Sequence, residues 1–208
     1  MKIVSLLLVF TFVSLSYFAQ DFKKISDPTA CRASILKKQK ATKTLTADFK
    51  ETIYSSMFNT PQKANGELNY KQTDKIRWEH TSPTKKVMLI DGSKIKYSEN
   101  GVEIKDPSTK AVVKKIQNLM VKMLSGDFLD GKDFTIYYYE SGSEFKLKLK
   151  PKSSRMSKYI ESVVLIFNKS DLLLNEMSLI EDEDEKIVYS FNNVKSNSTI
   201  SDSKFQSF

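Results

Sequence analysis

The sequence has little of the chemistry on which most catalytic and metal sites depend. Its 208 residues contain one cysteine and one histidine, Cys31 and His80. A single cysteine excludes a disulfide within the chain, and the two residues together exclude a metal site built from histidine and cysteine ligands. The six glycines form neither GxGxxG nor a P-loop, which excludes the common phosphate-binding loops.

An enzyme would have to be built around His80. Ser/His/Asp and Cys/His sites need a histidine as general base and a further group that orients it. No carboxylate near His80 has a spacing that singles it out for that role. We therefore expect His80 to be a polar residue at the end of a strand, Cys31 to be a small residue on a helix face, and the protein not to be an enzyme.

The one dense carboxylate cluster is the run EDEDE, from Glu181 to Glu185. Because it lies between two strand patterns, it predicts a solvated hairpin turn. A calcium site is an alternative, although the ordered spacing and the glycine of an EF-hand loop are missing. An acidic surface for a basic partner protein is a second alternative. We expect no metal and no cofactor.

The first twenty residues have the pattern of a secretory signal. Lys2 is followed by an apolar stretch from Ile3 to Val13 and then by a serine-containing, more polar end. That stretch is too short for a stop-transfer helix, so we expect residues 1–20 to be removed on export and residues 21–208 to form a single domain. A retained membrane anchor is the alternative. Cys31 lacks the apolar neighbours of a lipid-modified N-terminal cysteine.

Acidic residues are in the minority. The 33 basic and 25 acidic residues give a formal net charge of +8, and removal of Lys2 with the signal leaves +7. This charge favours transient contact with anionic membrane surfaces or acidic partners. The lysines are scattered along strands and the chain has an export signal, so we do not expect nucleic acid to be the partner.

Apolar periodicity predicts two helices. Asp27 and Pro28 form a helix-start signal, and the segment that follows, to Thr44, has apolar residues at Ala30, Ala33, Ile35, Leu36 and Ala41. Helical spacing returns in a stripe that ends before Gly126, a C-terminal stop. The stripe consists of Val112, Val113, Ile116, Leu119, Met120, Met123 and Leu124.

The rest of the chain alternates at period two, which is typical of strands. Phe145, Leu147 and Leu149 alternate with lysines, and short turns at Asp91–Gly92 and Asn100–Gly101 separate neighbouring strands. The predicted order is helix, six strands, helix, five strands. Together these features indicate an α+β, mainly β fold: a strongly curved antiparallel sheet of about eleven strands in an unclosed barrel, with helices covering its concave face.

The apolar side chains of this sheet allow two interpretations. Residues such as Trp78, Met88 and Met120 can fill an ordinary core. Methionine is also overused where an apolar surface must accept varied shapes, so a curved sheet under a loosely packed helix could keep a cavity. Periodicity alone leaves both interpretations open.

A set of motifs from Phe49 to Tyr97 resembles the periplasmic outer-membrane lipoprotein carrier family, the LolA-like proteins. The motifs are a phenylalanine in the first long strand, a Gly-Xaa-Leu strand, an apolar-Xaa-Trp strand, a proline and an apolar-Asp-Gly hairpin. In this sequence they correspond to Phe49, Gly66 with Leu68, Ile76 with Trp78, Pro83 and the segment from Ile90 to Tyr97. The LKLKP strand, the last hairpin and the final SKFQSF segment are also similar to this family.

The resemblance implies a periplasmic carrier that binds the acyl chains of lipoproteins in a hydrophobic cavity and moves them from the inner to the outer membrane. It implies no reaction and no cofactor. The expected partners are acylated lipoproteins or lipid, an inner-membrane release complex and an outer-membrane acceptor, and the carrier itself is expected to be a monomer. The cavity residues it implies are Phe49, Leu68, Ile76, Trp78, Met88, Ile90 and Tyr97; the lid residues are Ile116, Leu119, Met120, Met123 and Leu124.

The sequence departs from the family at one place. Members often have an Arg-Pro just before the apolar-Xaa-Trp strand, and that arginine is thought to tie the lid shut; here the positions hold Gln72 and Thr73. Arg77 is adjacent to Trp78 and should therefore point to the opposite face of the sheet. The departure leaves open a paralogue that binds a free lipid or glycolipid. An outer-membrane receptor of the related anchoring type would need an N-terminal lipidated cysteine, which is missing.

Overall fold

A computed structural model describes residues 21–72, 74–106 and 119–208. Its helices are α1 (Thr29–Ala41), α2 (described over residues 119–125) and α3 (Ser154–Ser157), with 3₁₀ turns at Asp127–Asp130 and Asp202–Phe205. Its strands are β1 (Lys23–Lys24), β2 (Thr44–Tyr54), β3 (Gln62–Lys71), β4 (Lys75–Ser82), β5 (Lys86–Asp91), β6 (Lys94–Glu99), β7 (Val102–Glu103), β8 (Phe134–Glu140), β9 (Glu144–Pro151), β10 (Ser162–Asn168), β11 (Leu174–Ile180) and β12 (Lys186–Ser196).

All twelve strands form one antiparallel sheet. Their order is β1-β8-β9-β10-β11-β12-β2-β3-β4-β5-β6-β7. Neighbours in space are neighbours in sequence except at two places, where β1 pairs with β8 and β12 pairs with β2. The end strands β1 and β7 do not pair with each other, so the sheet is an unclosed barrel and the predicted fold class is confirmed. The prediction of about eleven strands missed β1, because two residues are too few to show the alternation of a strand.

Helix α1 starts where the sequence predicts but is shorter. An Asp27 side-chain oxygen accepts a hydrogen bond from the Thr29 backbone N–H at 3.0 Å, which fixes the start of the helix. The predicted apolar face is partly wrong, because Ala30, Ala33 and Ala41 are exposed. Cys31 and Ile35, four residues apart, are the buried pair.

The described part of α2 covers the concave face of the sheet. Leu119, Met120 and Met123 are buried there, whereas the predicted stripe residues Val112, Val113 and Ile116 lie outside the described residues. Gly126 follows the helix with φ of 78°, a left-handed conformation that favours glycine. The predicted stop is therefore confirmed. Among the residues that the structure describes, no helix is long and apolar enough to cross a membrane.

The convex face is wet in one half of the sheet and covered in the other. In β9, Leu147 and Leu149 are fully buried, while Lys148 between them faces outward. Over β4 and β5, however, the C-terminal segment packs through its 3₁₀ turn, where Phe205 is buried together with Val87 and Leu89. The prediction of a single wet face thus holds for the later strands only.

Candidate functional site

The concave face of β2 to β6 carries a continuous row of apolar side chains. Leu68 lies opposite Trp78, Trp78 opposite Met88, and Met88 opposite Tyr97. Directly cross-strand positions point to the same side of a sheet, so the four side chains share the concave face. Ile76 and Ile90 form the next row in the same way and are completely buried.

Phe49 reaches into this row because its neighbour on β3 is a glycine. Gly66 pairs directly with Phe49, and the aromatic ring occupies the space where a side chain on Gly66 would lie. The ring centroid is 4.6 Å from that of Trp78. The Gly-Xaa-Leu motif is therefore needed for packing: glycine admits the phenylalanine ring, and Leu68 faces the cavity.

Trp78 is the centre of an aromatic group that crosses the junction between the two halves of the sheet. Tyr189 and Phe191 of β12 meet its ring edge-on, at centroid distances of 5.1 and 6.2 Å. Such edge-to-face pairs add about 0.5–1.5 kcal/mol beyond burial. This group packs β12 against β2 and β4.

A small apolar cavity lies between the sheet and α2. Its volume is about 20 Å³, which is enough for about one water molecule. Helix α2 contributes Met120, Met123 and Leu124. The sheet contributes Leu45, Ala47, Leu68, Trp78, Leu174, Met177, Phe191 and Val194. Side chains of α2 therefore fill most of the space between this helix and the sheet.

The predicted site residues divide into three groups. Leu68, Trp78, Met120, Met123 and Leu124 line the cavity. The others in the described chain belong to the surrounding apolar core: Phe49, Ile76, Met88, Ile90, Tyr97 and Leu119. Ile116 lies outside the described residues.

Six lining residues were not predicted as part of the site. Leu45 and Ala47 had the correct alternation, while Leu174, Met177, Phe191 and Val194 come from the last hairpin. The residues of the last hairpin join the site because β12 pairs with β2. These two strands are far apart in the sequence. Alternation predicts which side chains share a face, but it does not predict this long-range register.

A buried polar group lies beside the apolar row. His80 Nε2 is 3.1 Å from Glu51 Oε2, and the Tyr189 hydroxyl hydrogen-bonds the same carboxyl. Burial raises the pKa of Glu51, but the hydrogen bonds from His80 and Tyr189 outweigh it, so the pKa lies below its ordinary value. Burial and the Glu51 charge raise the pKa of Tyr189 well above its ordinary value.

His80 thus has a carboxylate partner that its sequence neighbourhood did not reveal. Glu51 lies on β2 and His80 lies on β4, on either side of β3. The two side chains meet across β3. The group contains no serine or cysteine nucleophile. Cys31 is buried, and burial raises the pKa of its thiol to about 11, so it is held as an unreactive thiol. Within the described residues, no cluster of three metal-ligating side chains occurs.

The C-terminal end of α2 and the turn after it contact α1. The Arg32 guanidinium donates two hydrogen bonds to the carbonyl oxygen of Leu129, at 3.0 and 2.8 Å. Lys40 forms an ion pair with Asp127 at 2.8 Å, and Gly126 packs against the side chain of Gln39. The end of α2 and the 3₁₀ turn after it are therefore fixed to α1 at three points.

Arg77 has a different task, on the opposite face, as its position next to Trp78 predicted. Its Nε is 2.7 Å from Glu79, and its guanidinium donates to the carbonyl oxygens of Lys204 and Ser207. Arg77 therefore fastens the C-terminal segment to the convex face. Arg77 therefore does not take the place of the arginine in the Arg-Pro motif, whose positions are occupied by Gln72 and Thr73 in this sequence.

The EDEDE run forms the turn between β11 and β12, as predicted. Its first four residues are exposed. Glu185 instead accepts hydrogen bonds from the hydroxyls of Ser55 and Ser56, at 3.0 and 2.8 Å. The run ties its own hairpin to the turn after β2.

Comparison with known proteins identifies a matching family and several relatives. The family described as Outer membrane lipoprotein carrier protein LolA matches residues 40–207. The outer-membrane lipoprotein carrier protein of Pseudomonas entomophila (strain L48) is 28% identical over 164 residues, which cover 78% of this chain and 76% of that protein. The protein of the same name from Coxiella burnetii (strain CbuK_Q154) is 24% identical over 165 residues, covering 79% and 76%.

Two solved structures align with this chain at low sequence identity. MucB aligns with a TM-score of 0.53 and 10% identity, over 86% of this chain and 64% of MucB. The LolA superfamily protein NE2245 from Nitrosomonas europaea aligns with a TM-score of 0.43 and 14% identity, over 84% of this chain and 97% of that one. The unclosed sheet, the motifs from Phe49 to Tyr97 and the family match over residues 40–207 lead to one conclusion: the chain belongs to the outer-membrane lipoprotein carrier protein LolA family.

Proposed function

We propose that this protein is a periplasmic carrier that binds the acyl chains of lipoproteins between its concave sheet face and α2, and moves them from the inner to the outer membrane. The observation that carries the proposal is the apolar cavity under a methionine-bearing helix. The family match and the secretory pattern of residues 1–20 support the role and the compartment.

The closed form must open before it can bind a chain. An acyl chain of ~15 methylenes gains ~12 kcal/mol when it leaves water, at ~0.8 kcal/mol per methylene. A cavity of about 20 Å³ cannot hold such a chain. We propose that α2 moves away from the sheet and that acyl chains take the places of Met120, Met123 and Leu124 against Trp78 and Leu68.

Loading and release then depend on partners. A bilayer offers the acyl chain about the same free energy as the carrier does, so transfer between the two has little driving force of its own. We propose that an inner-membrane release complex loads the carrier and an outer-membrane acceptor unloads it. In this role the protein works as a monomer, without a cofactor and without catalysing a reaction.

A second candidate is a relative that carries a free lipid or glycolipid. Gln72 and Thr73 favour it, because they occupy the positions at which family members often have Arg-Pro. A carrier whose lid is fastened from α1, through Arg32, could respond to a different cargo or a different loading partner.

One experiment separates the candidates. The protein is purified from the periplasm without detergent, and native mass spectrometry is combined with lipid extraction. Acylated polypeptide bound at one copy per carrier is the result expected for a lipoprotein carrier. Free lipid without polypeptide would favour the second candidate over the lipoprotein carrier. A protein devoid of acyl chains in cells that export lipoproteins would contradict both candidates.

A further inference from the structure

A second depression lies on the convex face of the same sheet. Its volume is about 270 Å³, and it is lined by Thr46, Ala47, Asp48, Glu67, Leu68, Asn69, Asn193 and Lys195. Ala47 and Leu68 also line the apolar cavity, so strands β2 and β3 form the wall between the two. We call this depression the convex groove. The side chains that line the convex groove are largely polar, whereas those that line the cavity under α2 are apolar. The proposed carrier function does not use the convex groove.

A β-bulge builds one wall of the groove. The register between β12 and β2 shifts between Asn192 and Lys195, and Asn193 adopts a left-handed conformation with φ of 51°. Its Nδ2 donates a 2.7 Å hydrogen bond to Asp48 Oδ2. Bulges are frequent beside functional sites because they redirect side chains. Here the bulge turns Asn193 and Lys195 toward the groove.

Two carboxylates face each other across the floor. Asp48 and Glu67 are direct cross-strand partners, an arrangement that destabilises a sheet when both carry the same charge. The next carboxylate in this row, Glu79, is neutralised by Arg77 and Lys85. Over residues 21–72, 74–106 and 119–208, Glu67 has no such cation. Both Asp48 and Glu67 are exposed, and the cationic side chain in the lining of the groove is that of Lys195.

Asn69 adds an amide to this site. The residue is only 7% exposed, and among the described residues no protein group hydrogen-bonds its side chain. Because Asn69 lines the groove, a molecule in the groove can reach the amide and form a hydrogen bond with it.

We propose that the convex groove binds a guanidinium group, presented as an arginine side chain by a partner polypeptide. A guanidinium is a planar fork of five donors and no acceptor, which suits two opposed carboxylates and the Asn69 amide oxygen. The groove, at about 270 Å³, is slightly smaller than the usual range for drug-sized ligands. Lys195, at the rim, is positioned to bind a backbone carbonyl oxygen of the same polypeptide.

The test uses the exported chain, residues 21–208, labelled with ¹⁵N. The probe is the peptide acetyl-Gly-Arg-Gly-amide, and the signal is the side-chain amide resonance of Asn69. We expect a saturable shift of this resonance. Two further probes separate the sources of the binding: the citrulline peptide keeps the shape but has no charge, and propylguanidine carries a guanidinium without a peptide backbone or a second charge. Both should bind at least roughly tenfold more weakly.

Variants on the surface provide the controls. Glu67→Gln and Asp48→Asn should each weaken the arginine peptide at least roughly tenfold, and neither touches the cavity under α2. Glu183→Gln removes the same charge from the exposed turn between β11 and β12 and should leave binding unchanged. Loss of binding in Glu183→Gln as large as in Glu67→Gln would overturn the site. Equal binding of the citrulline peptide would overturn the guanidinium, equal binding of propylguanidine would overturn the polypeptide source, and an unshifted Asn69 resonance would overturn the proposal as a whole.

Discussion

The ring of Phe49 lies over Gly66: a Cβ atom on Gly66 would come within 2.2 Å of Phe49 Cζ and within 2.2 Å of the Glu79 carbonyl oxygen. Neither contact can be relieved by a flexible chain end, because one neighbour is a packed ring and the other is backbone. The aromatic group around Trp78 therefore depends on the absence of one methyl group on the neighbouring strand.

Gly66→Ala should destabilise the fold. The ring of Phe49 would have to move away from Trp78, and overpacking of this kind costs about 1–3 kcal/mol. Urea unfolding measures the loss. Gly142→Ala is the matched control, since a Cβ atom there meets nothing within 4 Å. Equal unfolding midpoints for the two variants would show that Phe49 is not held as described.

Arg32→Ala should loosen the lid while leaving the sheet intact. The change removes two charge-assisted hydrogen bonds and leaves the buried Leu129 carbonyl without its donor, at a cost of about 1.5–3 kcal/mol. Amide hydrogen exchange in residues 119–130 should therefore become roughly ten- to a hundredfold faster, with no change in β9 and β10. Arg155→Ala, an exposed arginine in α3, is the control. Unchanged exchange in Arg32→Ala would mean that α1 does not hold the lid.

The Glu51–His80 contact predicts a pH dependence of stability. Burial opposes the charge of Glu51, but the hydrogen bonds from His80 and Tyr189 prevail, so the folded-state pKa lies below the ordinary value of 4.5. A depressed carboxyl pKa stabilises the fold above the unfolded-state pKa, and this contribution is lost as the pH falls through the folded-state value.

The difference in unfolding free energy between the parent protein and Glu51→Gln isolates this contribution from that of the other carboxyls. We expect the difference to be full above the ordinary glutamate pKa and to shrink as the pH falls through the lower folded-state pKa of Glu51. Urea titrations at each pH measure it. A difference that grows toward acid pH would show that the Glu51 carboxyl is bound in its neutral form.

Leu124→Glu should abolish acyl-chain binding with a small effect on folding. Leu124 lines the cavity but is only partly buried, so a carboxylate can reach water in the closed form but would be buried under a bound chain. Ile76→Glu is unsuitable for this purpose, because Ile76 is fully buried in the core and away from the cavity. Val102→Glu, at an exposed apolar site on β7, is the control, and co-purified acyl chains are measured. Full acyl-chain content in Leu124→Glu would remove the cavity from the account.

Local patterns predicted the faces of single strands well and their partners less well. Leu68 and Trp78 lie on the concave face and Arg77 on the convex face because side chains alternate along a strand. Phe191 and Val194 could not be assigned to the cavity, since their place depends on the pairing of β12 with β2 across most of the chain. The same pairing brings Asn193 beside Asp48.

The way the lid is held was equally hidden in the sequence. Arg32 and Leu129 are 97 positions apart, and no periodicity in α1 distinguishes an arginine that binds a carbonyl group from one that faces solvent. The volume of the cavity could not be predicted either. Apolar spacing predicts that Met120 and Met123 face the sheet, but their packing determines that only about 20 Å³ remains between α2 and the sheet.

The most direct test of acyl-chain binding uses the chain's single tryptophan, Trp78, which lines the cavity. The purified protein is titrated with a triacylated lipopeptide that carries bromine atoms on its acyl chains, and its tryptophan fluorescence is compared with that of a titration with the unbrominated lipopeptide. The account predicts saturable quenching by the brominated chains alone, together with faster hydrogen exchange in residues 119–125. Binding of the lipopeptide without quenching would place the acyl chains elsewhere and contradict the account.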